Sequence, residues 1–381
     1  MNIEKINRIL SYVLVALIAI MLTVSVMVWV FVRQQQATPK LPALEQLILN
    51  RFIGDVDQTA IEDAAARAMI AALGDRWSYY ISADQYADFM EQANNAYIGV
   101  GLTIMAEESG GIRVINVTKG GPAEEAGILA DDVIIKVDGQ SILDFTIEET
   151  KKLVLGDENT MVQLTLLRGE QELALDVTRR TIRIPVAKSQ MLENNIGYVA
   201  IYNFNSNSAA ETIAAIEKMI AQGAKKLVLD VRNNPGGNAK ELVKILDYLL
   251  PGGKLFTTVD YAGKTHTDWS DEKCLDIPMA VLVNGNSYSA AEFFAAALSE
   301  YDAAIVVGEK TCGKGYFQHT YQLSDGSLIG LSVGKYYTPN GKNLQDTGII
   351  PDVIVSLEDK QDGIDPMPDA QIAAAVKALE P

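Results

Sequence analysis

Histidine and cysteine are nearly missing from this chain of 381 residues: His266 and His319 are the only imidazoles, Cys274 and Cys312 the only thiols. Two histidines with no spacing motif argue against a His-based triad and against a metal held by two imidazoles and a carboxylate. No metal and no cofactor is expected. Two cysteines are too few for a disulfide scaffold or a four-thiolate site, and leave at most one disulfide open. A basic stripe is also lacking. With a formal net charge of −17 at pH 7, the chain has no clustered Lys and Arg for a phosphate backbone, so nucleic acid is excluded as a partner. Acidity keeps the soluble part soluble and away from anionic lipid, but names no substrate.

What is present begins with an apolar run from Ile9 to Val32, with no charge until Arg33. At 1.5 Å per residue, about 24 such residues reach roughly 36 Å, enough to cross a bilayer core of about 30 Å with some tilt. A signal-peptide core is shorter, about 7 to 15 residues, and ends in a small-x-small site that is not seen here. The expectation is an uncleaved single-pass anchor through residues 9–32. Lys5 and Arg8 before the span and Arg33 and Lys40 after it barely bias its orientation.

The length exceeds what one hydrophobic core usually serves, so several compact units are expected. Residues 1–33 hold a cytoplasmic tip and the anchor. Residues 34–95 hold a polar stalk, Gln34 to Pro42, and a helical region: one helix from about Leu44 to Leu73, stopped by Gly74, and another from Ala83 to Asn94 capped by Ser82. Residues 96–181 are β-rich. There Ile98-Gly99-Val100-Gly101-Leu102 enters a strand, Pro122 and Gly127 bound a single helical turn, Asp138-Gly139 marks a tight turn, and Thr146 with Glu149 reads as a capping box. Residues 182–360 alternate apolar strands with helices as a layered α/β domain, whose strand ends should open onto ligand-binding loops. Residues 361–381 carry a short helix, Asp369 to Leu379, expected to pack on the N-terminal helical region. The whole reads as multidomain α+β.

The β-rich unit resembles a PDZ domain of the bacterial, permuted kind. Its glycine loop leaves backbone N–H groups to capture a terminal carboxylate, and the strand beside it can accept an extended peptide. The resemblance assigns that role to Ile98, Gly99, Val100, Gly101 and Leu102. Asp131 stands where glycine is usual, which should alter a turn and spare the groove.

Three segments of the α/β domain each follow an expected strand. Leu229-Asp-Val-Arg-Asn-Asn-Pro-Gly-Gly-Asn238 turns on glycines into a helix, as an oxyanion hole or an anion site requires. Taken singly, it is equally a plain strand-to-helix turn. Val283-Asn-Gly-Asn-Ser-Tyr-Ser-Ala-Ala-Glu292 places Ser289 at a helix start with Glu292 three residues on, which alone is most simply a capping box. The same placement suits a nucleophile. Val307-Gly-Glu-Lys-Thr-Cys-Gly-Lys-Gly-Tyr-Phe-Gln-His319 sets Lys314 between glycines, and a strand from Gly315 onward would put Lys314 and Gln318 on one face. A lysine serves as a general base only where burial lowers its pKa from about 10.4.

Together the three segments resemble the carboxy-terminal processing proteases, also called tail-specific proteases, over nearly everything after the anchor. The resemblance implies a Ser/Lys serine peptidase with a crotonase-like core. Ser289 falls on the nucleophile, Lys314 on the base and Gln318 on the glutamine that orients it. The backbone N–H groups of Gly236 and Ala290 fall on the oxyanion donors, with Gly237 second to Gly236. Departures are Tyr288 for alanine, Ala291 for serine, Glu300 for aspartate, and Cys312 where an aromatic residue is common. The implied substrates are proteins with apolar C-termini, and the implied location is the cell membrane with the catalytic part outside the cytoplasm. The helical N-terminal region and C-terminal helix could support a homodimer. Two rivals stand beside this reading: a catalytically inactive PDZ scaffold that binds C-termini, and a Cys312 hydrolase with His319 as base.

Overall fold

The computed structural model describes residues 3–35, 39–356 and 369–380. Parts of four expected segments, 1–2 of the cytoplasmic tip, 36–38 of the stalk, 357–360 of the α/β domain, and 361–368 and 381 of the tail, lie outside the described residues. The chain divides into two compact units, one up to Gly74 and one from Asp75 on.

In the first unit a helix runs Ile3–Gln35, and its stretch Leu10–Trp29 has a mean hydropathy of 2.5. It is long and apolar enough to cross a membrane. The single helix expected over 44–73 is instead two, Lys40–Arg51 and Gln58–Ala71. Phe52 is extended, and the Asp57 carboxylate accepts from Ala60 N–H at 3.0 Å, so a new helix is capped where continuation was expected.

In the second unit the β-rich segment enters and leaves on paired strands, Ala96–Gly99 against Arg180–Arg183. Between them a six-stranded sheet wraps a core of Ile112, Val114, Ile134, Val162, Leu164 and Leu166. The expected punctuation is in place. Gly127 and Gly139 have positive φ, and Thr146 with Glu149 forms a complete capping box for the helix Ile147–Val154. Asp131 has φ 70°, a left-handed conformation that explains why glycine suits this turn and that aspartate tolerates better than most residues.

The α/β part is built on a six-stranded sheet ordered Ala187–Leu192, Ile196–Ile201, Lys226–Asp230, Met279–Val283, Ala304–Gly308 and Val353–Ile354, parallel after its first pair. Met279–Val283 is buried at all five positions, as a central parallel strand covered on both faces should be. Alternate residues face opposite layers. Leu227, Leu229, Val281 and Val283 pack on the helices Ser208–Ala221, Ala239–Leu249 and Ala290–Glu300. Val228, Ala280, Leu282 and Val307 pack on the C-terminal helix Ala370–Ala378 through Ile372, Ala375 and Leu379.

That last contact corrects the expected placement of the tail: the helix covers the open face of this sheet. Arg232 secures it, donating to Asp369 Oδ2 at 2.6 Å while pairing with the buried Asp230. A further five-stranded sheet was not foreseen from sequence; it gathers Tyr79–Ile81, Gly253–Asp260, Thr265–Ser270, Tyr316–Gln322 and Leu328–Tyr337.

Candidate active site

The strands Lys226–Asp230, Met279–Val283 and Ala304–Gly308 are adjacent and parallel, so the segments that follow them emerge side by side at one edge of the sheet. These are the three segments singled out by their sequence. Polar side chains stitch them together. Asn284 Nδ2 and Asn286 Nδ2 donate to Asn233 Oδ1 at 2.9 and 3.0 Å, Ser287 Oγ donates to Val231 O at 2.7 Å, and Cys312 N–H donates to Ser287 O at 3.1 Å.

Ser289 stands at the entry to the helix Ala290–Glu300 with φ 58° and ψ −123°. A β-carbon makes this conformation costly, about 1–3 kcal/mol, and such strain gathers where a side chain must be presented from a sharp strand-to-helix turn. Gly236 fits against this turn. A β-carbon on Gly236 would lie 2.8 Å from Tyr288 O and 2.9 Å from Ala290 N, so glycine is required by close approach as well as by its φ of 88°.

Glu292 joins the serine and the lysine. Its fully buried carboxylate accepts through Oε2 from Ser289 N–H at 3.0 Å and from Lys314 N–H at 2.8 Å. Through Oε1 it accepts from Thr311 Oγ1 at 2.6 Å and Gly313 N–H at 2.7 Å. Burial pushes its pKa up, while the four donors favour the ionised form and pull the other way. The capping-box reading therefore described half of its work: the same residue that reaches back to the helix start also fixes the turn carrying Lys314.

Lys314 is largely buried, and desolvation pushes its ammonium down to about 8 against the opposing pull of Asp75, Glu292 and Cys312. Its Nζ lies 4.9 Å from the centre of the Trp77 ring. Beside Ser289 opens a small cleft lined by Gly237, Ala239, Leu242, Phe256, Ala290, Phe293 and Tyr336, a mostly apolar wall. Among the described residues no cluster of His, Cys, Asp and Glu is placed to hold a metal ion.

Two expected site residues have hydrogen-bond partners of their own. Gly236 N–H, expected to face an oxyanion, donates to Asn234 Oδ1 at 2.8 Å in an Asx turn, because Asn234 is buried and its side chain closes on its own backbone. The bridge between Phe204 and Gly237 uses Phe204 N–H to Gly236 O and Asn238 N–H to Phe204 O, which leaves Gly237 N–H unengaged beside the cleft it lines. Gln318 lies in the strand Tyr316–Gln322, where a register shift leaves Val333 as the extra residue of the facing strand, and its Nε2 donates to Ser332 Oγ at 2.9 Å.

In the β-rich segment Val100 is buried, Gly101 is left-handed with φ 80°, and Ile98 and Leu102 stay partly exposed. The carbonyls of Val100 and Gly101 are consumed internally, by Ala123 N–H and Thr118 N–H, each at 2.9 Å, and Gly99 pairs with Arg180. The rival hydrolase gains no support: Arg76 Nη2 meets Cys312 Sγ at 3.4 Å, whereas His319 is exposed and its ring contacts Phe317.

A family model for peptidase family S41 matches residues 195–355, and a PDZ domain model matches 113–168. The probable CtpA-like serine protease of Staphylococcus aureus (strain COL) is 32% identical over 356 residues, covering 90% of this chain and 71% of that protein. The carboxy-terminal processing protease CtpA of Bacillus subtilis (strain 168) is 34% identical over 323 residues, covering 84% and 69%. This chain belongs to peptidase family S41. It groups there with the carboxy-terminal processing serine proteases and carries a PDZ domain. Among solved structures, the photosystem II D1 C-terminal processing protease shares 29% identity, covers 84% of this chain and 88% of that one, and overlays with a TM-score of 0.48.

Sequence reading of this S41 peptidase missed Asp75, Trp77 and the shared role of Glu292. Asp75 accepts from Trp77 N–H at 3.2 Å and from Ser78 N–H and Oγ–H at 3.1 and 2.6 Å, and bonds with Ser332, so Gln318 is linked to the lysine's surroundings through Ser332 and Asp75. The run Gly74-Asp-Arg-Trp-Ser-Tyr-Tyr80 reads as a turn, and nothing local in it points to a lysine more than 230 residues away in the chain.

Proposed function

We propose that this S41 peptidase is a membrane-anchored endopeptidase that hydrolyses proteins near their C-termini with Ser289 as nucleophile and Lys314 as general base. The observation that carries the reading is the shared Glu292 Oε2, which ties Ser289 N–H and Lys314 N–H to one atom and so sets the two residues in a common frame. Neutral Lys314 takes the Ser289 hydroxyl proton as Oγ attacks the scissile carbonyl carbon. The amides of Ala290 and Gly237 receive the oxyanion, an assignment that moves the second donor one residue from Gly236 because that amide is engaged. Collapse breaks the C–N bond, the lysine ammonium protonates the leaving amine, and water then hydrolyses the acyl-serine ester.

The apolar cleft beside Ser289 suits an apolar side chain next to the scissile bond. The loop 98–102 of the PDZ domain would bind the free terminal carboxylate, with the partly exposed Ile98 and Leu102 offering apolar contact to the tail. The apolar helix would hold the enzyme at the membrane with its catalytic part outside the cytoplasm.

The test uses the purified chain in detergent and two forms of one protein substrate, with a free or an amidated apolar C-terminus. Cleavage of the free form alone supports tail recognition, and equal cleavage of both removes it. Ser289→Ala and Lys314→Ala should each abolish turnover while leaving the circular dichroism spectrum unchanged; full activity in either would sink the dyad.

A further inference from the structure

One side chain that packs against the lysine head group comes from a turn far away in the chain's order, just ahead of the PDZ domain. Lys314 Nζ sits 4.9 Å from the Trp77 ring centre, and the Arg76 guanidinium 4.2 Å from it. The same ring stacks on Tyr288, with centroids 5.9 Å apart and planes at 29°. Tyr288 directly precedes Ser289 and occupies a position where alanine is the common residue of the resemblance. One indole therefore touches both the nucleophile's turn and the base.

The turn that carries Trp77 is pinned from three directions. Arg76 Nη2 donates to Cys312 O at 3.1 Å, fastening it to the Cys312-Gly313-Lys314 turn. Ser332 N–H donates to Ser78 Oγ at 3.1 Å, and Tyr79 pairs with Gly330, fastening it to the strand Leu328–Tyr337. Asp75 closes the turn on itself through Trp77 N–H and Ser78. The indole Nε1–H is shielded from solvent and has no acceptor among the described residues. What holds the ring is contact with its faces, and what it offers its neighbours is shape, water exclusion and a π face for the cations over it.

We infer that Trp77 is the positioning residue of the dyad, its ring in contact with both Tyr288 and Lys314 so that the lysine head group is held in one water-poor pose beside the serine turn. This rests on the proposed Ser289/Lys314 mechanism and adds to it a role for a residue that need not touch substrate. Removing the ring admits water to the ammonium, which favours its charged form, and lets a long side chain sample rotamers directed away from Ser289. The groups that face the lysine are Asp75, Arg76, Tyr288, Glu292 and Cys312, and none of them replaces the lost wall.

The experiment measures kcat and KM from pH 6 to pH 10 for the full chain in detergent, with Trp77→Ala, Trp77→Leu and Trp77→Phe beside the parent and Lys314→Ala. For the parent, activity should climb with pH to a limb near the value of about 8 set by burial. Trp77→Ala is expected to lower kcat at pH 7 by about tenfold or more, to leave KM within about threefold, and to move the limb toward the ordinary lysine range near 10.4. Trp77→Phe keeps a stackable face and has no N–H to lose, so its limb should stay and its kcat fall by no more than about threefold. Trp77→Leu is smaller than the indole and leaves part of the wall open to water; it should shift the limb in the same direction as alanine, by less, and stands in for it if the alanine variant does not fold. An unmoved limb in both Trp77→Ala and Trp77→Leu, with or without a fall in kcat, overturns the inference. In that event a dead Lys314→Ala leaves the dyad standing, whereas an active Lys314→Ala removes the dyad itself.

Discussion

Replacing Lys314 by methionine should make this protein more stable and inactive at once, with a stabilisation that disappears in alkali. The side chain is buried beside Trp77, and desolvation holds its pKa at about 8 against an ordinary value near 10.5. A base whose folded pKa is depressed binds fewer protons folded than unfolded, so stability rises with pH between the two values. The penalty is complete below about pH 8, where the folded state must carry a buried ammonium, and is gone above about pH 10.5, where both states are neutral. At 1.36 kcal/mol per pK unit, the gap corresponds to about 3 kcal/mol at pH 7, about 2 kcal/mol at pH 9 and about 0.4 kcal/mol at pH 10.5.

Methionine is close to lysine in length and volume and carries no charge, so it should recover most of that energy at pH 7. Cation–π attraction to Trp77, about 1–2 kcal/mol where the pair is desolvated, opposes the penalty without cancelling it. Urea unfolding of parent and Lys314→Met, followed by circular dichroism at pH 7, 9 and 10.5, gives the difference directly. A gain that shrinks with rising pH, together with loss of turnover, supports the reasoning. A variant less stable than the parent at pH 7, or a difference that does not change with pH, refutes it.

Three further outcomes follow from the same geometry. Ser289→Gly should raise stability by about 1 kcal/mol in a thermal melt, because the relieved strain at φ 58° slightly exceeds the entropy cost of glycine, and it should be inactive; a lower melting temperature would mean that the turn is not strained. Glu292→Gln keeps the shape but points an NH₂ group at two of four donors, so a loss of about 2–4 kcal/mol and a fall in kcat of more than tenfold are expected, measured by urea unfolding and steady-state kinetics. Gly236→Ala forces a β-carbon to within 2.9 Å of Tyr288 O and Ala290 N and should displace the serine turn, cutting kcat more than tenfold while binding of a free C-terminal peptide, read by fluorescence anisotropy, stays unchanged.

Much of the fold was legible because its signals are local. Pro122, Gly127, Asp138-Gly139 and the Thr146/Glu149 box each determine a few dihedral angles whatever surrounds them, and the β-rich segment folds where they place it. The central strands were legible from their unbroken apolar runs. The five-stranded sheet was not, since strands such as Thr265–Ser270 and Tyr316–Gln322 are short on aliphatic residues and gain their identity from partners distant in sequence.

Sequence alone determined the composition of the candidate site: a serine at a helix start, a lysine between glycines, a glycine turn, and each of them after a strand. Tertiary structure decided how these groups behave. Adjacency of three parallel strands makes the segments neighbours, the buried Glu292 locks their amides together, and the facing strand gives Gln318 its partner Ser332. The lowered pKa of Lys314 belongs wholly to this level. Desolvation is a property of everything packed around a group, and the groups about Lys314, Trp77 and Glu292 among them, lie outside any short window of sequence around it.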